Sequence, residues 1–407
     1  MATDRPLRQP LGSGEGEARP GLFRSVRPSN LLSFGPDCQA LELRGLNVLV
    51  GPNGSGKSNL LEVFALLRGC GTDLRAVIAR GGGAAEWVWK GAPEDAAAVD
   101  VVLGIPDHPQ PVRHLVAFRA LGQGFTIEDE RVENERAQEG HERPYFFYRF
   151  QHGHPMINPA GGSGRQLAKD SVDPDRSILA QRRDPESFPE LTRLAEVYDR
   201  LRLYREWSFG RDSVLRQPQK ADLRTDRLEE DFSNLGLFLN RLRRQPKAKA
   251  AVLAGLRDLY EGLTDFDVSV QGGTIQVFFT EGDFTIPATR LSDGTVRYLC
   301  LLAILCDPDP PPLIGIEEPE LGLHPDLLPK VADLLVAASE RTQIIATTHS
   351  DILIDALSER PESVVIVEKH SSRTSMHRLN ASDLADWLDK YRLGQLWTRG
   401  DLGGNRW

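Results

Sequence analysis

VLVGPNGSGKSNL, at positions 48–60, joins a short apolar run to an amphipathic segment through a glycine-rich loop. The run Val48–Val50 is typical of a buried strand, and the residues after the loop place Leu60, Leu61, Phe64 and Leu67 on one face of a helix. Glycines at 51, 54 and 56 let several backbone N–H groups converge on phosphate oxygens, while Lys57 supplies a charge and Ser58 a hydroxyl for Mg²⁺. A glycine-rich turn without a ligand is the alternative, which the strand and helix around the loop disfavour.

This motif predicts a nucleoside triphosphate site with Mg²⁺. The residues expected to contact the nucleotide are Asn53, Gly54, Ser55, Gly56, Lys57, Ser58 and Asn59. Of these, Lys57 is also expected to act in catalysis and Ser58 to bind the metal.

The composition is that of a globular protein with 407 residues, 40% hydrophobic residues and a net charge of −9. No apolar run approaches the roughly 20 residues that cross a bilayer, and the N-terminus lacks the apolar core of a signal peptide. We therefore expect a cytoplasmic protein with no membrane partner. The four cysteines have neither metal-binding spacing nor the density of a disulfide framework.

The order of patterns along the chain predicts five segments. Residues 1–20 read as a disordered tail, 21–80 as the first part of the nucleotide-binding core, and 81–170 as a β-rich insertion with a polar stretch at 128–143. Residues 171–250 read as a helical lobe and 251–407 as the second part of the core. The last part is expected to hold one more strand after His349, at 363–368, and a helix at 382–391.

Ser292, Asp293 and Gly294 precede a strongly apolar helix that begins near Thr295. Exposed N–H groups, a hydroxyl and the positive end of the helix dipole suit a γ-phosphate. An ordinary N-cap on a core helix is the alternative for this sequence alone.

Two carboxylates, Glu317 and Glu318, end an apolar strand that starts near Pro312. Carboxylates at the end of a buried strand are costly unless they hold a cation or a water. Because side chains alternate on a strand, Glu317 is expected to serve Mg²⁺ and Glu318 to orient the attacking water as a general base. Solvated strand-end charges are the alternative.

A third apolar strand, 343–348, ends in Thr348, His349 and Ser350. A histidine there can reach the γ-phosphate or the attacking water. A lone histidine is usually structural, so this role depends on the other motifs.

The chain resembles the ATP-binding-cassette superfamily in four motifs and their order: GPNGSGKSN, LSDGT, IEEPE and TTHS. The match is to its RecF-like and structural-maintenance-of-chromosomes-like (SMC-like) branch, which includes the overcoming-lysogenisation-defect ATPases. The resemblance spans roughly residues 22–80 and 285–370. It implies an α/β fold: an ABC-type P-loop ATPase head with a mixed or parallel sheet core, a β-rich insertion and a helical lobe.

The resemblance also implies roles for the matching motifs. Gly51–Ser58 corresponds to the Walker A loop, Leu291–Thr295 to the signature, Glu317 and Glu318 to Walker B, and Glu320–His324 to the D-loop. His349 corresponds to the switch histidine, so Glu318, His349 and Lys57 are the expected catalytic residues. The family also uses a glutamine that senses Mg²⁺ and the γ-phosphate, and Gln181 is the candidate.

In this superfamily two heads close around two ATP molecules, and the signature of one completes the site of the other. The chain has one loop and one signature, so the resemblance implies a homodimer with Ser292 and Gly294 binding ATP in trans. The expected activity is ATP hydrolysis, and the expected setting is DNA maintenance or anti-phage defence. The sequence after His349 leaves no room for the metal-dependent nuclease domain of the overcoming-lysogenisation-defect proteins, so we expect any nuclease or effector to be a separate chain.

DNA is a further candidate partner, because residues 200–249 hold 13 Lys or Arg against 7 Asp or Glu. A solvated helical face with pairs such as Arg202–Glu206 is the alternative for this segment. Two other functions stay open at this point: a regulatory ATP-binding scaffold that hardly hydrolyses, and a transporter ATPase subunit. The transporter is disfavoured because 124 residues separate Lys57 from Gln181.

Overall fold

The computed structural model describes residues 22–105, 108–122, 124–162, 164–208, 210, 213 and 216–403. The tail predicted at residues 1–20 lies outside this part of the chain.

The strands in the described residues are β1 Phe23–Ser29, β2 Leu41–Glu42, β3 Leu46–Val50, β4 Ala97–Leu103, β5 Val112–Leu121, β6 Gly124–Asn134, β7 Phe146–Gln151, β8 His154–Ile157, β9 Arg165–Gln166, β10 Arg202–Tyr204, β11 Gln219–Lys220, β12 Leu263–Gln271, β13 Thr274–Glu281, β14 Phe284–Pro287, β15 Leu313–Glu317, β16 Gln343–Thr348, β17 Val364–His370 and β18 Arg373–Arg378. The α-helices are α1 Lys57–Gly71, α2 Leu74–Arg80, α3 Ala84–Trp87, α4 Ile178–Gln181, α5 Pro189–Asp199, α6 Leu235–Arg243, α7 Pro246–Leu259, α8 Asp293–Leu305, α9 Leu328–Ser339, α10 Asp351–Asp355, α11 Ala381–Leu388 and α12 Leu393–Arg399.

A six-stranded sheet forms the centre of the fold, in the order β10-β15-β16-β3-β17-β18. All of its neighbouring pairs are parallel except β17 with β18. Because the carboxyl ends of parallel strands meet at one edge, the segments after β3, β10, β15 and β16 are neighbours. The predicted α/β class with a mixed sheet core is confirmed.

This sheet separates two hydrophobic cores, which explains why its strands are apolar on both faces. Leu49, Ile345 and Val365 face one core together with helix α1. Their neighbours along the strands, such as Val48 and Ile344, face the other core together with helix α8. The helix after the phosphate loop and the helix after the Ser292 motif therefore pack on opposite faces of one sheet.

The β-rich segment is continuous with the N-terminal strands. Strands β4 to β9 join β1 and β2 in an eight-stranded antiparallel sheet, in the order β2-β1-β4-β5-β6-β7-β8-β9. Strands β4 and β5 alternate buried and half-buried residues. Residues 86–90, at the start of the segment predicted to be β-rich, belong instead to helix α3 and an isolated bridge at Val88.

The polar stretch expected not to pack, 128–143, contributes to the long strand β6. Its Glu130 is buried, accepting hydrogen bonds from the Ser177 hydroxyl at 2.5 Å and from the Ile178 N–H at 3.0 Å. A buried carboxylate is tolerated when its oxygens are hydrogen-bonded, and those partners come from a distant part of the chain. Composition alone therefore gave the wrong expectation for residues 128–134, whereas residues 136–143 are exposed.

The helical lobe contains α4, α5, α6 and the start of α7, and a third sheet of β11, β12, β13 and β14 packs against it. Within this segment lies β10, which pairs with β15 at Ile314–Ile316 and belongs to the central sheet. Leu201 and Tyr204 continue the helical spacing of the apolar residues in α5, so the sequence pattern does not distinguish β10 from the helical lobe. At the carboxyl end of the chain, β18 and α12 accompany the expected strand and helix. None of the helices in the described residues is long and apolar enough to span a membrane.

Candidate nucleotide-binding site

The phosphate loop connects β3 to α1 and requires glycine at several positions. Gly54 and Gly56 have φ angles of 77° and 109°, which L-residues with side chains rarely adopt. Gly51 has another constraint, because a Cβ atom there would lie 2.1 Å from the carbonyl oxygen of Val367 in β17. The loop tip at Asn53 and Gly54 is exposed, while Ser55 is buried.

Lys57 begins helix α1 and folds back over the loop. Its Nζ donates to the carbonyl oxygens of Gly51 at 2.8 Å and Pro52 at 3.0 Å. Burial lowers the pKa of Lys57 to about 8, and the carboxylates of Glu318 and Glu317 only partly oppose this effect. Triphosphate oxygens are stronger acceptors for this ammonium than two carbonyls.

A set of hydroxyls supports the loop from behind. The Thr374 hydroxyl of β18 donates to the Ser55 carbonyl at 2.7 Å and lies 2.7 Å from the Ser33 hydroxyl. Ser33 also accepts from the side chain of Asn59 at 2.7 Å. Asn59 thus braces the first turn of α1 instead of standing free for a ligand. Thr374 lies in a strand that the sequence patterns did not indicate.

Glu317, at the end of β15, contacts the first turn of α1. One carboxylate oxygen accepts a hydrogen bond from the Ser58 hydroxyl. The other accepts from Nε of Arg205 at 3.1 Å, and Arg205 also pairs with Glu62 at 2.7 Å. Burial lowers the pKa of Arg205, but the charge and hydrogen bonds of Glu62 and Glu317 outweigh burial and raise that pKa above its usual value.

A hydroxyl and a carboxylate in direct contact, beside a phosphate loop, fit Mg²⁺. This ion is commonly held by one or two protein oxygens, water and substrate phosphates. Ser58 and Glu317 are therefore the groups that would hold it.

Glu318 lies next to His349, with Oε1 at 3.5 Å from the histidine Nε2. The Glu318 backbone has φ of 46°, and its N–H donates to the carbonyl of Thr347 at 3.1 Å. This turn brings the Glu318 carboxylate to the same edge of the sheet as the phosphate loop. Burial and the charge of Lys57 lower the pKa of His349, so the imidazole is neutral at pH 7.

The backbone around Glu317 and Glu318 is held from the side of helix α8. Trp207 Nε1 donates to the Glu317 carbonyl at 2.9 Å, and the Arg297 guanidinium donates to the Glu318 carbonyl at 2.5 Å. Arg297 is 2% exposed and stacks on the Trp207 ring, 4.2 Å from its centroid. These contacts link the helix that follows Ser292 to the backbone of both glutamates.

Glu320 supports the strand end that carries His349. Its Oε1 accepts from the Thr348 hydroxyl at 2.6 Å and from the His349 N–H at 2.9 Å. Burial raises the pKa of Glu320. The Glu320 side chain therefore fixes the backbone at Thr348 and His349.

The Ser292 motif forms the exposed N-terminus of α8. The Ser292 hydroxyl accepts from the Thr295 N–H at 3.1 Å, so it caps the helix. A Cβ on Gly294 would lie 3.0 Å from the carbonyl of Gly322, which places the motif against the D-loop segment. The cap is thus observed, and Ser292 and Asp293 are exposed at the surface.

Gln181 is not brought to the phosphate loop. Its side chain binds backbone groups of Asp173 and Arg176, at the end of the short helix α4. The next residues place the Arg183 guanidinium on the Gly71 carbonyl, at the C-terminal end of α1. Lys57 lies at the other end of α1, about 20 Å away at 1.5 Å per residue.

The basic segment 200–249 is largely paired within the fold. Arg202 is buried in β10 and does not form the pair with Glu206 that a helix would allow. Side chains in ion pairs with carboxylates are Arg200, Arg205, Arg216, Arg224, Arg227, Arg241, Arg243 and Lys249. Arg211 lies outside the described residues.

The site residues that the sequence patterns missed are Glu62, Arg205, Trp207, Arg297 and Thr374. Glu62, Arg205, Trp207 and Thr374 belong to segments with an ordinary amphipathic or polar pattern, whereas Arg297 is the one charged residue in the strongly apolar part of α8, which was a signal for a specific buried contact. Recognition of β10 as a strand next to β15 would have indicated Arg205, because the residue after β10 must lie near Glu317.

Solved structures with a similar fold include heads of SMC proteins. One is an SMC head bound to the C-winged helix domain of ScpA, with 13% identity, a TM-score of 0.54 and coverage of 89% of this chain and 99% of that chain. Another, from Pyrococcus furiosus, is a head with an extended coiled coil bound to the C-terminal domain of ScpA; it has 12% identity, a TM-score of 0.53 and coverage of 90% and 98%. At these identities the likeness shows the fold, and it confirms the predicted SMC-like head.

The sequence comparisons point to a family. No protein of curated function matches the chain. A family model described as "AAA domain, putative AbiEii toxin, Type IV TA system" matches residues 46–355. That range contains the phosphate loop, the Ser292 motif, Glu317, Glu318 and His349. Because it covers most of the chain, the protein belongs to this AAA domain family, and its fold is that of an SMC-like ATPase head.

Proposed function

We propose that the protein binds ATP with Mg²⁺ and hydrolyses it in a site shared between two copies of the chain. The observation that carries this proposal is the convergence of Lys57, Ser58, Glu317, Glu318 and His349 at one edge of the central sheet. These groups come from three separate strand ends, and their chemistry matches phosphate binding, metal binding and water activation.

In this proposal Lys57 exchanges its two carbonyl acceptors for phosphate oxygens, and the loop N–H groups surround the phosphates. Ser58 and Glu317 hold Mg²⁺, which neutralises charge on the phosphate oxygens. Glu318 accepts a proton from the attacking water, and neutral His349 orients that water or the γ-phosphate beside it. Trp207 and Arg297 keep the two carboxylates in position.

The second copy is proposed because the Ser292 motif faces the surface. The hydrogen bonds recorded for the Ser292 side chain lie within its own helix turn. Leu321, in the adjacent D-loop segment, is 54% exposed, so this face carries apolar surface as well as helix N–H groups. If a second copy covers this face, Ser292 and Gly294 of the first copy contact the ATP that is bound to the phosphate loop of the second copy.

The first experiment uses Glu318→Gln, which keeps the shape of the side chain and removes the base. We expect this variant to lose hydrolysis by about 10²-fold or more and to elute as a dimer in the presence of ATP and Mg²⁺. Ser292→Arg is the control, because it blocks the face and should remain monomeric. A Glu318→Gln protein that binds ATP but stays monomeric would contradict the shared site. Measurable ATP binding without turnover by the unaltered protein would favour the scaffold function.

We propose that closure acts on a separate effector in DNA maintenance or anti-phage defence. The SMC heads with this fold are bound to segments of another protein, ScpA. Direct DNA binding through residues 200–249 has weaker support, since most of those basic side chains pair with carboxylates. The rate of ATP hydrolysis, measured with and without duplex DNA at low salt, separates these two possibilities. A rate that changes with DNA favours direct DNA binding, and an unchanged rate favours a separate effector.

A further inference from the structure

Arg205 places a permanent positive charge on Glu317, one of the two groups that would hold the metal. It follows β10 directly, and the pairing of Tyr204 with Ile316 sets it beside Glu317. Its guanidinium bridges Glu317, at 3.1 Å, and Glu62 of helix α1, at 2.7 Å. The Arg205 side chain is 26% exposed, so solvent screens this contact only in part.

The two groups suited to Mg²⁺ are therefore already occupied by each other and by Arg205. Ser58 donates to one oxygen of Glu317 and Arg205 donates to the other. A guanidinium has no lone pair to offer a metal and does not lose its proton in a protein. It can only neutralise Glu317 or repel a cation that approaches the same carboxylate.

Glu62 gives the guanidinium a second partner that does not depend on Glu317. It lies on helix α1, four residues after Ser58, and the Arg205–Glu62 contact is the shorter of the two ion pairs. Arg205 can thus release Glu317 without losing every carboxylate partner.

We infer that Arg205 competes with Mg²⁺ for Glu317, and that binding of the Mg²⁺-nucleotide moves the guanidinium onto Glu62. This inference rests on the proposed function. In the nucleotide-free protein Arg205 neutralises Glu317 and holds it against Ser58. Because Mg²⁺ must displace the Arg205 guanidinium from Glu317, Arg205 raises the Mg²⁺ concentration that the protein needs for tight nucleotide binding.

The test measures the affinity of the full chain for a fluorescent, non-hydrolysable ATP analogue, by anisotropy, in Mg²⁺ and in EDTA. The ratio of the two dissociation constants is the gain in affinity that Mg²⁺ provides. Arg205→Gln removes the charge, and we expect this gain to rise at least about fivefold, the size of a modest coupling between two sites. Binding of Mn²⁺, followed by its EPR signal in the presence of the analogue, should tighten in parallel.

Three variants control the interpretation. Arg205→Lys keeps the charge but not the two-armed geometry of the guanidinium, so its gain should lie between those of the unaltered protein and Arg205→Gln. Glu62→Gln removes the second partner, so the gain from Mg²⁺ should fall; this opposite sign tests the inference even if Arg205→Gln does not fold. Arg113→Gln removes another partly buried arginine, one that pairs with Asp100 in the eight-stranded sheet, and should leave the gain unchanged.

The outcomes distinguish this inference from the proposed function. An unchanged or smaller gain in a folded Arg205→Gln protein would overturn the competition. A gain that does not fall in Glu62→Gln would overturn the role of Glu62. If the unaltered protein binds no nucleotide in either condition, the proposed function fails.

Discussion

Lys57 shows how a single residue carries both the prediction and its physical consequence. The motif predicted a phosphate-binding lysine from spacing alone. The structure adds that the amine is buried against two carbonyl oxygens, which lowers its pKa to about 8. The nucleotide-free lysine therefore loses its proton between pH 7 and pH 9, whereas a lysine on triphosphate oxygens keeps it.

We predict that ATP binding takes up protons in alkaline solution. The uptake should be close to one proton at pH 9 and about a tenth of a proton at pH 7, because the free lysine is mostly neutral only at the higher pH. Calorimetry at each pH in buffers of different ionisation enthalpy measures it. His349→Asn is the control, since it removes the other nearby group that can take up a proton. Equal uptake at both pH values would show that Lys57 is charged before the nucleotide binds.

The residues that sequence reasoning found and missed differ in one respect. Ser58, Glu317 and His349 belong to motifs whose letters suffice to identify them. Glu62 and Arg205 have no motif, because their role arises only where α1 and β10 meet β15. The sequence indicates Gln181 only by its position between two motifs, and tertiary packing places it near the end of α1 that is far from the phosphate loop.

At the level of elements, the site depends on the close approach of β3 to β17. Gly51 lies where the chain leaves β3, and a Cβ atom there would lie 2.1 Å from the Val367 backbone carbonyl. Strand backbones cannot move as freely as the end of a flexible side chain, so the strands must separate to admit even a methyl group.

We predict that Gly51→Ala destabilises the nucleotide-free protein by about 2 kcal/mol or more. Gly54→Ala is the matched control: its φ of 77° is unfavourable for alanine, but no atom lies within 4 Å of the new methyl group. It should cost about 1 kcal/mol, from the backbone alone. Thermal and urea unfolding of both variants measure the difference. Equal losses of stability would mean that β3 and β17 do not constrain the loop.

The elements that were predicted well are those whose local pattern agrees with their environment. Strands β3, β15 and β16 are mostly apolar and buried along almost their whole length, because both faces of the central sheet are covered. Strands β6 and β10 were misread for opposite reasons. The polar β6 buries Glu130 against Ser177, and β10 is too short to interrupt the helical spacing of its neighbours.

For the whole molecule, the two-core arrangement sets which surfaces are available. The phosphate loop follows β3, and α1 packs into one core; Ser292 begins α8, which packs into the other. The Ser292 motif is exposed beside the D-loop segment and Leu321. A site shared between two copies combines the phosphate loop of one copy with the Ser292 motif of the other. Local sequence patterns do not specify this pairing, which follows only from the family resemblance.

The most direct test of the shared site is complementation between two inactive variants. Ser292→Arg and Glu318→Gln are each expected to hydrolyse ATP at least about 10²-fold more slowly than the unaltered protein. In a mixed dimer, one site combines the intact Glu318 of the first variant with the intact Ser292 of the second. Mixing equal amounts before ATP is added should restore between about a tenth and about half of the activity of the unaltered protein, because each mixed dimer keeps one unblocked face and has one complete site of two. A mixture as inactive as its two components would contradict the account.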